Sequence, residues 1–416
     1  MISITHILKN MFSNRTRLFL TILAVAWGTF SIASMLAVGD GLRMTFANAI
    51  NSTGEAALVI SGHQSTQPYR GQPSGIKVIL TQEDLDRLRL AMHGSALVTG
   101  QKEWAVKIHK GNKTHRGPPL TAVDTQYDRI HGVGVLPGGR FINAEDERLR
   151  RQVIVLGTKT IAKIFKPREN PIGQFVYLEG KPFLVIGVQR KTLQLISTNS
   201  VPDIFTNWIP YSTYQEVTND RTYDTFIIAP YDLKDVATLQ RIAKHVIASR
   251  RQLNPDDPGI VNFINLENEK TKINLFSYGI EIFLGVIGAL TLVVAGVGIA
   301  NVMYISVKRA TREIGIRMAI GATSYEILFY YACEALITTA IGGAIGLVMA
   351  KGLVILVNKI PMNSELLDYF GNPRPILSWN VMLVVILILG VIGFIAGIFP
   401  AKKAASINPA EALRYE

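Results

Sequence analysis

The chain has 416 residues, 48% of them hydrophobic and only 18% charged, where an ordinary soluble domain carries roughly 25% charge. With a mean hydropathy of +0.25, it is neither a wholly soluble protein nor a disordered or collagen-like one. The 43 lysines and arginines exceed the 31 acids to give +12, and the lone cysteine, Cys333, excludes an internal disulfide and a cysteine-based zinc cage.

Residues 1–17 form a basic segment with Lys9, Arg15 and Arg17. Residues 18–39 follow as 22 residues without a charge, enough to cross a bilayer that takes about 20 residues of helix. That stretch exceeds the ~7–15 residues of a signal-peptide core. It also continues into Leu42, Phe46 and Ile50 at helical spacing, so it reads as a retained anchor that extends beyond the membrane.

Residues 40–281 have the composition of a soluble α/β domain. Ala57–Ser61 reads as a strand, and Thr81–Met92 as a helix capped by Thr81 with Asp84 three residues on. Ala96–His109 and Lys113–Val123 read as strands around the turn Lys110-Gly111-Asn112. Gln152–Gly157 is a short strand before a helix over Thr158–Phe165. The hairpin Phe175–Leu178 and Phe183–Val188 is joined by Glu179-Gly180-Lys181-Pro182. Leu233–Arg251 is an amphipathic helix with Leu239, Ile242, Val246 and Ile247 on one stripe, and Phe263–Tyr278 is a helix leading into the second span.

Three more apolar segments follow: 282–307, 327–350 and 375–401, the first and last uncharged and the middle one interrupted by Glu334. Asn301 is a second polar residue within the spans. Buried charge in a membrane marks a functional or pairing role, and for Glu334 the reading is pairing with the nearby basic loop, the alternative being a substrate or proton role. Gly342-x-x-x-Gly346 and Gly393-x-x-x-Gly397 are small-residue faces suited to close helix packing in lipid.

Basic residues set the orientation. Ten (Lys9, Arg15, Arg17, Lys308, Arg309, Arg312, Arg317, Lys402, Lys403, Arg414) flank the presumptive inner ends, against three (Lys351, Lys359, Arg374) in the 351–374 loop. The positive-inside rule places both termini, the 308–326 loop and the 402–416 tail in the cytoplasm, and the 40–281 domain outside. The positive charge is thus accounted for by topology and leaves little for nucleic-acid binding.

Catalytic patterns are missing from the sequence. No G-x-x-x-x-G-K-[ST] phosphate cradle, H-E-x-x-H or G-x-S-x-G occurs. Gly132-Val133-Gly134 and Gly138-Gly139 read as turns, and His109 and His115 as strand-surface residues rather than metal ligands. The informative stretch is Arg312-Glu313-Ile314-Gly315-Ile316-Arg317-Met318-Ala319-Ile320-Gly321-Ala322. It reads as a short helix whose stripe of Ile314, Ile316, Met318 and Ile320 is flanked by Arg312 and Arg317, with glycines for close approach and a sharp exit. Such a helix fits a groove on a cytoplasmic partner; the alternative is a helix lying on the bilayer surface.

The run Thr311-Arg312-Glu313-Ile314-Gly315-Ile316-Arg317, together with Phe399-Pro400-Ala401 and the tail Asn408-Pro409-Ala410-Glu411-Ala412-Leu413-Arg414-Tyr415, resembles the permease portion of MacB-like (type VII) ABC transporters. That superfamily also contains the lipoprotein-releasing LolC and LolE permeases and FtsX. Val155-Leu156-Gly157, Pro171-Ile172-Gly173 and Phe183–Val188 are similar to its periplasmic core domain. The resemblance implies a bacterial inner-membrane protein of four transmembrane helices with a large α/β domain between the first two. It implies a non-catalytic permease that transmits ATP hydrolysis by a separate ATPase, two copies of which bind ATP and Mg, to outward conformational change and substrate efflux. The implied partners are a second permease chain in a homodimer, a periplasmic adaptor, an outer-membrane channel and membrane lipid, with no nucleic acid and no cofactor held by this chain. The alternatives are an FtsX-like regulator of an extracytoplasmic enzyme and a lipoprotein-releasing permease. One departure stands out: Lys308-Arg309-Ala310 lies where relatives carry an acid before the Thr-Arg-Glu run.

Overall fold

The computed structural model describes residues 15–51, 58–117, 120–190, 202–361 and 372–406. Among these, residues within 1–45, 274–363 and 372–416 form one compact unit and those within 46–273 another.

Helix α1 (Arg15–Asn51) opens the described chain. In the α/β unit, strand β1 (Leu58–Gly62) and the short β2 (Leu80–Thr81) precede α2 (Gln82–Ala91), whose Thr81 cap and Asp84 form the expected capping box. Next come β3 (Ala96–Trp104), β4 (Lys107–Lys110), β5 (Lys113–Arg116) and β6 (Leu120–Val123). The two long strands expected here are each broken in two. β3 pairs with β6, whereas the tip strands β4 and β5 pair with each other and β4 carries on to another part of the sheet.

Short helices α3 (Tyr127–His131) and α4 (Ala144–Arg148) lead to β7 (Val153–Leu156) and α5 (Thr158–Ile164). Hairpin β8 (Phe175–Leu178) and β9 (Lys181–Val188) turns on Glu179 and Gly180 alone, both at positive φ (45° and 80°). This is the two-residue turn that matches strand twist, so Lys181 and Pro182 belong to the strand rather than to the turn. Then follow β10 (Asn207–Pro210), α6 (Tyr211–Thr218), β11 (Thr222–Tyr223), β12 (Thr225–Pro230), α7 (Val236–Arg250) and β13 (Val261–Asn265). The last of these corrects the helix expected from Phe263. Residues 261–265 pair with β1, and Asn265 Oδ1 accepts from the Glu267 and Asn268 amides at 3.0 and 3.3 Å, which starts the helix at Leu266 instead.

The described strands build an eleven-stranded sheet in the order β13-β1-β12-β3-β6-β10-β7-β9-β8-β4-β5, with β2 and β11 paired separately. β6/β10 and β7/β9 run parallel and the other neighbours antiparallel. Central strands bury both faces. In β12, Phe226 and Ile228 join a core shared with Leu85, Leu88, Leu239 and Ile247, while Ile227 and Ala229 join one built on Tyr127, Phe141 and Trp208. Burying these side chains removes apolar area from water on both sides of the sheet, at about 1.5–3 kcal/mol for each large residue.

The helical unit holds most of α1 together with α8 (Leu266–Arg309), α9 (Thr311–Ala319), α10 (Ser324–Lys359) and α11 (Trp379–Ala405). α1, α8, α10 and α11 are each long and apolar enough to span a membrane. α11 begins at Trp379, four residues after the Pro375 expected from hydropathy, because 375–378 is not helical. Small residues set the packing. A Cβ on Gly28 would sit 3.0 Å from Ala295 Cβ, and one on Gly288 2.6 Å from Ile32, so α1 and α8 approach backbone to backbone.

Candidate functional site

Helix α9 is defined at both ends by backbone chemistry. The chain leaves α8 at Ala310, and the Thr311 hydroxyl donates back to the Lys308 carbonyl at 2.8 Å. At the other end Gly321 adopts φ +106°, a left-handed conformation natural to glycine. Its amide donates to Met318 O at 3.1 Å and the Ala322 amide to Arg317 O at 3.0 Å, which is the pairing of a Schellman motif. Two residues later Thr323 caps α10. The Glu326 amide donates to Thr323 Oγ1 at 3.3 Å and the Thr323 amide to Glu326 Oε2 at 3.0 Å. The Thr-x-x-Glu signal for this second cap is present in the sequence, two residues beyond the glycine.

The faces of α9 correct the single apolar stripe read from the sequence. Residues two apart lie about 200° apart on a helix, so Ile314, Ile316, Met318 and Ile320 cannot share a side. Ile314 is 2% exposed, Gly315 is buried, and Met318 packs against the membrane-helix core. Ile316 and Ile320 point the other way, 45% and 81% exposed, with Arg312, Glu313 and Ala319 exposed beside them. Gly315 therefore faces the protein's own helices and not an outside partner. Arg317 is held inward: it pairs with Glu313 at 2.5 Å and its guanidinium lies 5.4 Å from the Tyr330 ring centre. The outward face is thus two large apolar side chains bordered by Arg312, which makes no ion pair among the described residues, and by Glu313, a composition suited to a groove on another protein.

The remaining candidates are spread through the helical unit. Gly342 and Gly346 of α10 face α1, where a Cβ would come within 2.7 Å of Val25 and 2.6 Å of Thr29. Gly393 and Gly397 of α11 face α10 at Thr339 and Ala335, at 2.8 and 2.5 Å on the same construction. Glu334 is half-buried on α10, and the Thr338 hydroxyl donates to its backbone carbonyl at 2.8 Å. Asn301 is exposed on α8, so Glu334 and Asn301 stand in different surroundings. The 408–415 motif lies outside the described residues.

In the α/β unit, His109 and His115 do not converge. His109 stacks on Tyr177, whereas His115 is 4% exposed and faces the core, not the surface as its strand position had suggested. Among the described residues no three His, Cys, Asp or Glu side chains gather as a metal site. Gly132 and Gly138 sit at φ +62° and +90°, the turn conformations expected of them.

Residues 18–247 match the family model of the MacB-like periplasmic core domain, and 285–409 that of the FtsX-like permease C-terminal region. The chain is 30% identical over 417 residues to the macrolide export ATP-binding/permease protein MacB of Azoarcus sp., covering 98% of this chain and 58% of the relative. It is 27% identical to the MacB of Bdellovibrio bacteriovorus, covering 98% and 61%. Identity is 29% to the pyoverdine export ATP-binding/permease protein PvdT of Pseudomonas syringae pv. syringae, covering 98% and 58%. The chain therefore spans about three-fifths of the length of these curated relatives. Among solved structures, the periplasmic region of MacB from Actinobacillus actinomycetemcomitans matches at 20% identity and a TM-score of 0.42, over 55% of this chain and 97% of that one.

Proposed function

Because the chain belongs to the MacB-like ABC transporter permease family, a multipass inner-membrane family, we propose that it transmits force between a cytoplasmic ATPase and its own extracytoplasmic domain. In this reading both termini and α9 lie in the cytoplasm, and the sheet domain lies outside. ATP and Mg bind to a separate ATPase subunit, two copies of which dock on the α9 helices of two permease chains. Closure of the ATPases moves α9, and through it the membrane helices and the outer domain, which drives efflux with a periplasmic adaptor and an outer-membrane channel. No step of chemistry falls to this chain's own side chains: their task is to be held, pushed and returned.

The observation that carries the reading is the outward face of α9. Ile320 is largely exposed and Ile316 partly so, at 81% and 45%, while the same helix is anchored behind by Ile314 and capped at its exit. Docking that buries the two isoleucines is worth roughly 1.5–3 kcal/mol each. Ile316→Asp and Ile320→Asp should therefore weaken ATPase recovery by about ten- to a hundredfold each. Membrane insertion and outer-domain folding should persist, since neither side chain is in a core. Wild-type recovery of the ATPase, with wild-type coupled hydrolysis, in the double variant would overturn the proposal. Weakened lipid association with intact ATPase binding would favour the bilayer-surface alternative.

A further inference from the structure

The β5 end of the sheet carries an electrostatic conflict that the transport reading leaves unused. Hairpin β4–β5 sets like charges opposite each other twice, Lys110 against Lys113 and Lys107 against Arg116. Directly opposed like charges destabilise an antiparallel pair. The tip pair is relieved within the domain. Lys110 is ion-paired to Glu169 with its ammonium 4.1 Å from the Phe165 ring centre, and Lys113 Nζ donates to the Phe165 carbonyl at 3.2 Å. The other pair has no such relief: Lys107 and Arg116 are exposed, and among the described residues neither side chain makes an ion pair or hydrogen bond. Glu179, in the turn after β8, is likewise exposed and pairs with neither.

These two cations share a face with aromatic rings. Strand alternation turns Ile108, Val176 and Leu178 into the core, which leaves Lys107 and His109 of β4, Arg116 of β5 and Phe175 and Tyr177 of β8 together on the opposite side. His109 and Tyr177 are ladder partners whose rings stack 5.4 Å apart at 15°. Tyr177 is 39% and Phe175 54% exposed. No strand continues the sheet beyond β5 among the described residues. Exposed aromatic rings on the same sheet face as an arginine have the composition of a protein interface core.

We propose that this face docks an acidic surface of another extracytoplasmic protein, whose carboxylates complete the Lys107–Arg116 pair and whose apolar groups cover Phe175 and Tyr177. Charge selects the occupant. A second copy meeting the same face would bring the same cations together, as an isologous contact must. A bilayer is engaged by clusters of about four to eight basic residues, and this face presents two; Lys163 and Lys166 accompany α5, which packs on the core side of the sheet. The inference rests on the domain lying outside the membrane, and its test reads that separately.

In cells of the native host, Tyr177 of the full chain is replaced by a photo-cross-linking phenylalanine analogue, and adducts are sequenced by mass spectrometry. The expected product is a protein adduct whose linked peptide carries two or more Asp or Glu, with yield falling at least about tenfold in Lys107→Glu/Arg116→Glu and unchanged in Lys113→Glu, whose partner is within the domain. A lipid adduct, an adduct to a second copy, a linked peptide without acids, no adduct at all, or a yield indifferent to the charge reversal each overturns the proposal. Labelling of Lys113→Cys by a membrane-impermeant maleimide from outside reports the topology. Labelling without an acidic adduct rejects the docking face alone, and labelling only from inside rejects the topology beneath it.

Discussion

Gly41 lies directly under the carbonyl of Arg374, so close that any Cβ at position 41 would collide with that oxygen. The non-helical segment after Arg374 meets α1 at this point, and the Ile376 amide donates to the Ala37 carbonyl at 2.9 Å. Beside the crossing Asp40 is buried and paired with Arg43 at 2.9 Å, and Arg43 reaches Glu281 of α8 at 3.7 Å. One glycine therefore lets a distant stretch of chain strap the first helix.

Gly41→Ala should accordingly lose about 1–3 kcal/mol, the usual cost of forcing atoms into a filled space. Gly352→Ala is the control, since nothing lies within 4 Å of a Cβ there. Thermal unfolding in detergent measures both. Equal melting temperatures for the two variants would mean that the strap does not hold.

The helix-packing glycines make a second comparison. Gly346→Leu and Gly397→Leu place large side chains where a Cβ alone would already meet Thr29 at 2.6 Å and Ala335 at 2.5 Å. Both should destabilise by at least about 1–3 kcal/mol, while Gly390→Ala, in open space, should stay within about 1 kcal/mol of wild type. Unchanged stability of both leucine variants would show that α10 and α11 meet lipid at these positions.

Between α9 and α10 the effects should be graded. Thr323→Ala removes one half of a capping box and should cost about 0.5–2 kcal/mol, with Thr323→Ser restoring most of it. Gly321→Ala must hold alanine at φ +106° and should destabilise by more than the ~0.4–1 kcal/mol that an unstrained glycine-to-alanine exchange gains. Since the side chains of Ile316 and Ile320 are unchanged in both, ATPase recovery should persist while ATP-coupled transport falls. Loss of recovery instead would place part of the docking surface at the joint.

A pH dependence distinguishes the half-buried Glu147 from the buried His131 in the α/β unit. Burial pushes the Glu147 carboxyl from its ordinary 4.5 up to about 7, beside the Ser212 amide that donates to it at 2.9 Å. Its native pKa is the higher one, so the folded state holds an extra proton in that window and stability falls as pH rises through it. His131 acts in the opposite sense: burial lowers its imidazole from 6.5 to about 3, so its contribution grows as pH rises between those values. Comparing wild type with Glu147→Gln cancels the histidine. The variant should gain on wild type by up to about 3 kcal/mol between about pH 5 and pH 8, measured by chemical denaturation. A constant difference across that range would mean that the carboxyl titrates normally.

Three of the membrane helices were legible because more than twenty residues without charge is a length signal that needs no partner, and α10 was legible by its apolar length despite Glu334. α2 was legible through Thr81 and Asp84, whose capping box is local. β10 and β12 were not, since their residues are buried on both faces and show no alternation to read. The strand at 261–265 was hidden because its apolar residues run straight into those of α8. For α9 the boundaries could be read from Gly321, but the faces could not be read as a stripe: which isoleucine is covered depends on the helices behind it. Gly41 carried no signal at all, because its constraint comes from Arg374, far along the chain.

The joint at Ile320–Thr323 has a mechanical consequence. A glycine-terminated helix and a capped helix meet there with the flanking amides of Gly321, Ala322, Thr323 and Glu326 each already engaged. Such a connection behaves as a stiff crank rather than a slack cord, because bending it means first breaking hydrogen bonds. A twist applied to α9 reaches α10 with little backlash, and close-packed interiors pass strain on rather than absorb it. α10 is gripped by α1 on one side and α11 on the other through glycine contacts, so the same twist is shared among three membrane helices at once.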